Sequence, residues 1–154
     1  MEREEVREYV NQYCVLRDVQ FAAYELYARK YGLTAKELFV LDIIWFSEDG
    51  CLQSEISERL SATKQTVSAI VKKFWKLGYL SLTESPADRR NKIVRFTEAG
   101  RAYAGKIIPP AAKAEVDAMA ELDLAGEDIA ELVRLTTLFS NQMAKKFSEI
   151  HSAL

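Results

Sequence analysis

The side chains with the most evident chemistry lie in two groups, at residues 63–72 and at residues 88–92. The first group combines hydroxyls, one amide and lysines at helical spacing. Near the start of a helix, hydroxyl and amide groups can hydrogen bond to base edges, while lysines further along can meet phosphates. These groups bind rather than react, so the chemistry they indicate is recognition of a nucleic acid duplex. The candidate contacts in this group are Thr63, Lys64, Gln65, Thr66, Ser68 and Lys72.

The second group is a basic cluster in a segment whose composition favours a turn. Ser85 and Pro86 are turn-forming residues directly before it. Cations at the tip of such a loop can enter a minor groove or contact its phosphates. The acidic member, Asp88, is expected to hold one arginine by a charge-assisted hydrogen bond. The candidate contacts here are Asp88, Arg89, Arg90 and Lys92.

The charge distribution favours an anionic partner for this region. The chain has a net charge of −2, but the window from Arg59 to Arg101 holds ten basic and three acidic residues. This window therefore carries +7, and the remainder of the chain carries −9. A cationic face on an acidic body suits binding to a polyanion, and a randomly solvated basic surface is the alternative.

Two helices and two strands are predicted to position both groups. Residues 53–60 form an amphipathic helix, and after a turn Thr63 caps a second helix that ends at Gly78. Alternating side chains predict two strands, at 80–83 and 93–96. This order is typical of a helix-turn-helix with a wing. The residues of the second helix expected to face the core are Val67, Ile70, Val71, Phe74 and Leu77.

The chain on either side of this segment is predicted to be helical. A long amphipathic helix over residues 4–30 ends near Gly32, and a capping box of Thr34 and Glu37 starts the next helix. The predicted fold class is therefore mainly α with a small β-wing.

After the wing, a helix that starts at Thr97 is expected to bend or break at Pro109-Pro110 before residues 111–122 continue it. Gly126 precedes a last helix with one apolar face. The residues of that face are Ile129, Leu132, Leu135, Phe139, Met143, Phe147 and Ile150.

These features together resemble the MarR-type winged helix-turn-helix transcription regulators. The most specific part is Asp88-Arg89-Arg90, followed by the strand and the Thr-Glu-x-Gly motif at residues 97–100. The resemblance implies a homodimer on a palindromic operator in double-stranded DNA, more often a repressor than an activator. It also implies a winged DNA-binding domain at 33–100 between helical dimerisation regions at 1–32 and 101–154.

The same resemblance implies a small phenolic or lipophilic effector, bound between the winged domain and the dimerisation helices. Aromatic residues at helical spacing are also typical of a core, which is the alternative for each candidate. Some relatives sense peroxide through a cysteine near the position of Cys14, although a buried, apolar role is the preferred interpretation here. The candidate effector contacts are Tyr13, Arg17, Tyr24, Trp45 and Phe46.

Several function classes lack the residues they need. The sequence has two cysteines, one histidine, no phosphate-binding loop and no nucleophile–base set, so we expect no enzyme, no cofactor and no metal site. No run of eighteen apolar residues is present, and a cytoplasmic protein without a membrane span is expected. The remaining alternative is a winged protein-interaction or dimerisation module without DNA binding, for which the outer face of the second helix would be neutral or apolar.

Overall fold

A computed structural model of the chain describes residues 2–152, with the backbone only at Ser152. The predicted fold class is confirmed, because the described residues are mainly helical and include a small antiparallel sheet. Residues up to 112 form one compact unit, and residues from 113 onward form another. The helices are α1 (Arg3–Arg29), α2 (Ala35–Trp45), α3 (Gln53–Arg59), α4 (Lys64–Lys76), α5 (Glu98–Ala104), α6 (Ile108–Ala120) and α7 (Gly126–Ser152). The strands are β1 (Cys51–Leu52), β2 (Leu80–Glu84) and β3 (Lys92–Phe96).

The core of the first unit fixes the orientation of α4. Four of the five residues expected to face the core are buried, and Phe74 is fully inaccessible. The fifth prediction is wrong, because Leu77 is 55% exposed. Ile70 already lies at the edge of the buried stripe, and at 100° per residue Leu77 falls still further round the helix. The core cluster that contains Phe74 also includes Leu41, Ile44, Ile56, Val67, Val71 and Val94.

The wing is part of a three-stranded sheet in the order β1-β3-β2, with both pairs antiparallel. Leu82 lies opposite Val94 in the hairpin. Both predicted strands are confirmed, and the sheet also contains a strand that was not predicted, because Cys51 pairs with Val94 across β1 and β3. A strand of two residues is too short to show alternation.

The helix ends on both sides of the winged segment follow local chemistry. The capping box of Thr34 and Glu37 is confirmed, and Gly32 adopts a left-handed φ of 68°. Thr97 caps α5 by accepting a hydrogen bond from the Gly100 amide at 3.0 Å, and its hydroxyl donates to the Gly78 carbonyl at 2.6 Å. This second bond joins the end of α4 to the start of α5.

The break in the helix after the wing lies earlier than predicted. α5 ends at Ala104, the turn follows at once, and Pro109-Pro110 sit inside the first turn of α6. The proline positions are compatible with a helix there, since amides in the first turn have no intrahelical partner to lose.

Candidate nucleic-acid interface

The turn before α4 positions the first candidate group, at residues 63–72. Ser61 takes a left-handed φ of 47°, and Thr63 then caps α4 by accepting from the Thr66 amide at 3.1 Å. The two threonine hydroxyls are also hydrogen bonded at 2.9 Å. Thr63 and Thr66 are therefore occupied in holding the helix start, where such a cap contributes roughly 1 kcal/mol.

The outer face of α4 is polar and cationic apart from Trp75, which is 51% exposed. Its buried stripe leaves Gln65 and Ser68 exposed near the start of the helix. Lysines flank these two residues and continue toward the end of the helix. A helix with this arrangement presents hydrogen-bonding groups where base edges are reached and cations where phosphates are reached. The exposed lysines are Lys64, Lys72, Lys73 and Lys76.

The wing tip is shaped by backbone hydrogen bonds around Asp88. Its Oδ1 accepts from the backbone amide of Arg90 at 2.9 Å, and its carbonyl accepts from the Asn91 amide at 3.0 Å. The expected bond to an arginine side chain is therefore wrong: Asp88 orders the turn through the backbone. Arg89 and Arg90 are both exposed to solvent.

Asn91 links the wing to α3, a role that the sequence did not reveal. Its Nδ2 donates to Ser54 Oγ at 2.8 Å, and its Oδ1 accepts from the Ser54 amide at 3.4 Å. The Asn91 carbonyl also accepts from the Ser85 amide at 3.1 Å, which closes the loop. The only available signal was an amide residue inside a basic hairpin, and its partner lies 37 residues away.

An open groove of about 720 Å³ brings the two candidate groups together. Residues of α3, of the first half of α4 and of the wing line it. Hydroxyls, amides and cations line it, so it suits a polar, anionic partner. The lining residues are Gln53, Ser54, Ser57, Lys64, Ser68, Asp88, Arg90, Asn91 and Lys92.

Four of the ten basic residues in the window Arg59–Arg101 have partners within the chain. Lys73 Nζ lies 2.7 Å from Glu37 Oε1, and Lys92 Nζ lies 3.3 Å from Glu84 Oε1. Arg95 donates to Thr83 Oγ1 at 3.0 Å. Arg101 lies over the Trp45 ring at 4.4 Å. In the described part of the chain, the other six are exposed and form no ion pair: Arg59, Lys64, Lys72, Lys76, Arg89 and Arg90.

Comparison with known proteins gives this segment a family. The sequence model of the MarR family matches residues 31–91, which run from the end of α1 into the wing. Residues 31–91 of this chain are therefore similar to the MarR family. The HTH-type transcriptional regulator PapX of Escherichia coli is 37% identical over 71 residues, 46% of this chain and 43% of PapX. The chain thus matches less than half the length of this curated relative.

Solved structures of the MarR family extend the likeness to nearly the whole chain. AbsC, a MarR family transcriptional regulator from Streptomyces coelicolor, has a TM-score of 0.74 at 19% identity, covering 94% of this chain and 97% of AbsC. The MepR–DNA complex of S. aureus has a TM-score of 0.68 at 17% identity, covering 87% of this chain and 97% of MepR. At these identities the likeness is one of fold. The family is one of transcription regulators, in agreement with the prediction that the chain is not an enzyme.

The predicted effector residues of this chain lie in separate places. Arg17 pairs with Asp18 at 2.8 Å, an interaction that raises the pKa of the guanidinium, and lines an open hollow along α1. Trp45 and Phe46 line a different hollow of about 680 Å³, beside β3 and α5. Tyr24 packs edge-on against Phe39 with ring centroids 5.0 Å apart.

Tyr13, the remaining effector candidate, is 37% exposed on α1. Cys14, next to it, is half-buried, so the expectation of a buried side chain is wrong for the single chain. Cys51 is buried, and that burial raises the pKa of its thiol. Within residues 2–152, no helix is long and apolar enough to cross a membrane, and no cluster of three or more His, Cys, Asp or Glu could hold a metal ion.

Proposed function

We propose that the protein is a sequence-specific regulator of transcription that binds double-stranded DNA. The observation that carries this proposal is the groove in which the outer face of α4 and the cations of the wing converge. Two relatives support it: PapX is a transcriptional regulator, and MepR has been solved with DNA. The match to less than half of PapX makes the activity of the whole protein part of the proposal.

Within the interface, we assign different roles to the candidate residues. Gln65 and Ser68 are exposed at the start of α4 and contact base edges, while Thr63 and Thr66 hold the turn that presents them. Lys64 and Lys72 contact phosphates on either side of the major groove. In the wing, Arg89 and Arg90 reach the minor groove from a tip ordered by Asp88, and Lys92 stands at its base beside Glu84.

The proposed assembly is a homodimer on a palindromic operator. α7 is 27 residues long, about 40 Å at 1.5 Å per residue, and much of its apolar face is exposed in one chain. α1 also exposes apolar side chains, including Val15, Leu16 and Val19. Apolar surface of this extent is typical of protein interfaces. Regions 1–32 and 101–154 would then dimerise, and 33–100 would bind DNA with recognition helices about 34 Å apart.

We further propose that the protein is a repressor released by a small phenolic or lipophilic effector. Trp45, Phe46 and Phe96 give the hollow beside β3 an aromatic lining, and Arg101 adds a cation to it. An effector that favours a dimer geometry with the wrong helix spacing would lower DNA affinity. By linkage, DNA would lower the affinity for the effector by the same factor.

A salt titration of duplex binding tests the DNA-binding proposal against the alternative of a protein-interaction module. The duplex is selected from a random pool by the wild-type protein. The logarithm of affinity should fall linearly with the logarithm of salt concentration, with a slope of about −0.9 for each phosphate neutralised. Lys72→Met should make the slope shallower, whereas Lys113→Met, which removes an equal charge from exposed α6, should not.

The alternative module makes the opposite prediction. It would select no duplex from the pool and would show no affinity to titrate, although its fold would be the same. Apart from Trp75, the outer face of α4 is polar and cationic, and this favours DNA because a protein-docking helix would present a mainly apolar or neutral face there.

A further inference from the structure

Glu37 holds two separate elements through its two carboxylate oxygens. Oε2 accepts from the backbone amide of Thr34 at 3.1 Å and so completes the capping box of α2. Oε1 lies 2.7 Å from Lys73 Nζ, on the last turn of α4. The side chain of Glu37 is only 13% exposed, so this ion pair is partly shielded from solvent.

The start of α2 is also joined to α1. Glu25 Oε1, on the last part of α1, accepts from the backbone amide of Ala35 at 2.8 Å. The first turn of α2 therefore connects α1, through Glu25, with α4, through Glu37 and Lys73. These bonds lie within the unit that ends at residue 112. They form a continuous path from α1 to the helix that presents Gln65 and Ser68.

We propose that Glu37 is a positioning residue for α4, and that Lys73 acts through this ion pair and does not contact a phosphate. The inference rests on the proposed DNA binding. Taking Lys73 to a phosphate would leave the Glu37 carboxylate, which is only 13% exposed, without its cation, and this would cost free energy. The neighbouring Lys72 is exposed and forms no ion pair in the described chain, so it is free to contact DNA.

The adjacent lysines provide a matched pair of variants for the test. In salt titrations on the selected duplex, Lys72→Met should make the slope shallower by about 0.9 for each phosphate that is no longer neutralised. Lys73→Met removes the same charge one residue away, yet it should lower affinity with the slope unchanged, because the helix is displaced while the same phosphates stay neutralised. Lys73→Arg should restore most of the affinity. A shallower slope for Lys73→Met, equal to that for Lys72→Met, would overturn the proposal.

A second measurement tests the ion pair without DNA. Glu37→Gln keeps an oxygen for the Thr34 amide but removes the charge that binds Lys73. The two single variants and the double variant are compared by urea unfolding at fixed protein concentration. The unfolding equilibrium constant of the double variant should be about two- to fivefold smaller than the value expected if the effects of Glu37→Gln and Lys73→Met were independent. If the two losses of stability simply added, the ion pair would not link α2 to α4 energetically. If the wild type selected no duplex, the proposed function would fail, and this coupling would still decide the role of Glu37.

Discussion

Truncating Asn91 should loosen the wing without changing the charge of the interface. Asn91→Ala removes one hydrogen bond of good length, 2.8 Å to Ser54 Oγ, and one longer bond of 3.4 Å from the Ser54 amide. Both residues are half-buried, so water replaces part of the missing bonding. A neutral hydrogen bond contributes about 0.5–1.5 kcal/mol, so the expected loss in the free energy of unfolding is roughly 1–1.5 kcal/mol.

Asn91→Ala should lower DNA affinity without changing the salt dependence of binding. A loosened wing must be ordered again when it binds, so affinity for the selected duplex should fall. The slope of the salt titration should stay the same, since Asn91→Ala removes no cation. A decrease in slope equal to that of a lysine variant would mean that the wing is displaced from the phosphates altogether, not merely loosened.

A double-mutant cycle separates this bond from other effects of truncation. Ser54→Ala removes the 2.8 Å bond from the other side and keeps the Ser54 amide. If the bond stabilises the wing, the two substitutions together should cost about 1 kcal/mol less than the sum of their separate costs. Additive losses in urea unfolding would refute the argument that Asn91 anchors the wing to α3.

Three further predictions concern recognition, assembly and the thiol. Gln65→Ala should cost roughly 1–3 kcal/mol on the preferred duplex and relax preference at one base position, whereas an even loss over all sequences in a competition assay would contradict a base contact. Phe147→Glu should sediment as a monomer because it places a charge on the apolar face of α7. Asn141→Glu, on the opposite face of α7, should remain a dimer. A dimeric Phe147→Glu variant would contradict the proposed interface. On peroxide treatment, Cys14→Ser should bind and release DNA as the wild type does. If peroxide released the wild type from DNA but not Cys14→Ser, Cys14 would have a redox role.

Local patterns in the sequence were sufficient for most of the fold. The apolar stripe of α4 and the capping box of Thr34 and Glu37 are set by spacing of three or four residues, so they could be predicted without tertiary information. The break after α5 was misplaced because a proline in a first helical turn and a proline that ends a helix look alike in sequence. β1 was missed because its two residues are a strand only through pairing with β3.

The sequence predicted which residues form the candidate interface, but not which residues elsewhere in the chain they pair with. Spacing and charge identified the outer face of α4 and the wing cluster, and the groove brings members of both together. The partners of Asn91 and Lys73 lie 37 and 36 residues away in sequence, and a single sequence has no signal for pairs at that distance. Asp88 was assigned to a side-chain partner because its use of the Arg90 amide depends on the turn geometry.

The internal partners also change the expected electrostatics of DNA binding. If every basic residue of the window Arg59–Arg101 met a phosphate, a dimer would neutralise about twenty phosphates, and the salt slope would be about −18. Four of the ten are held within the chain by Glu37, Glu84, Thr83 and Trp45. The remaining six allow a dimer to neutralise at most about twelve phosphates from this window, a slope no steeper than about −11. A steeper measured slope that becomes shallower in Lys92→Met would mean that the ion pair of Lys92 with Glu84, whose carboxylate is 59% exposed, opens on DNA.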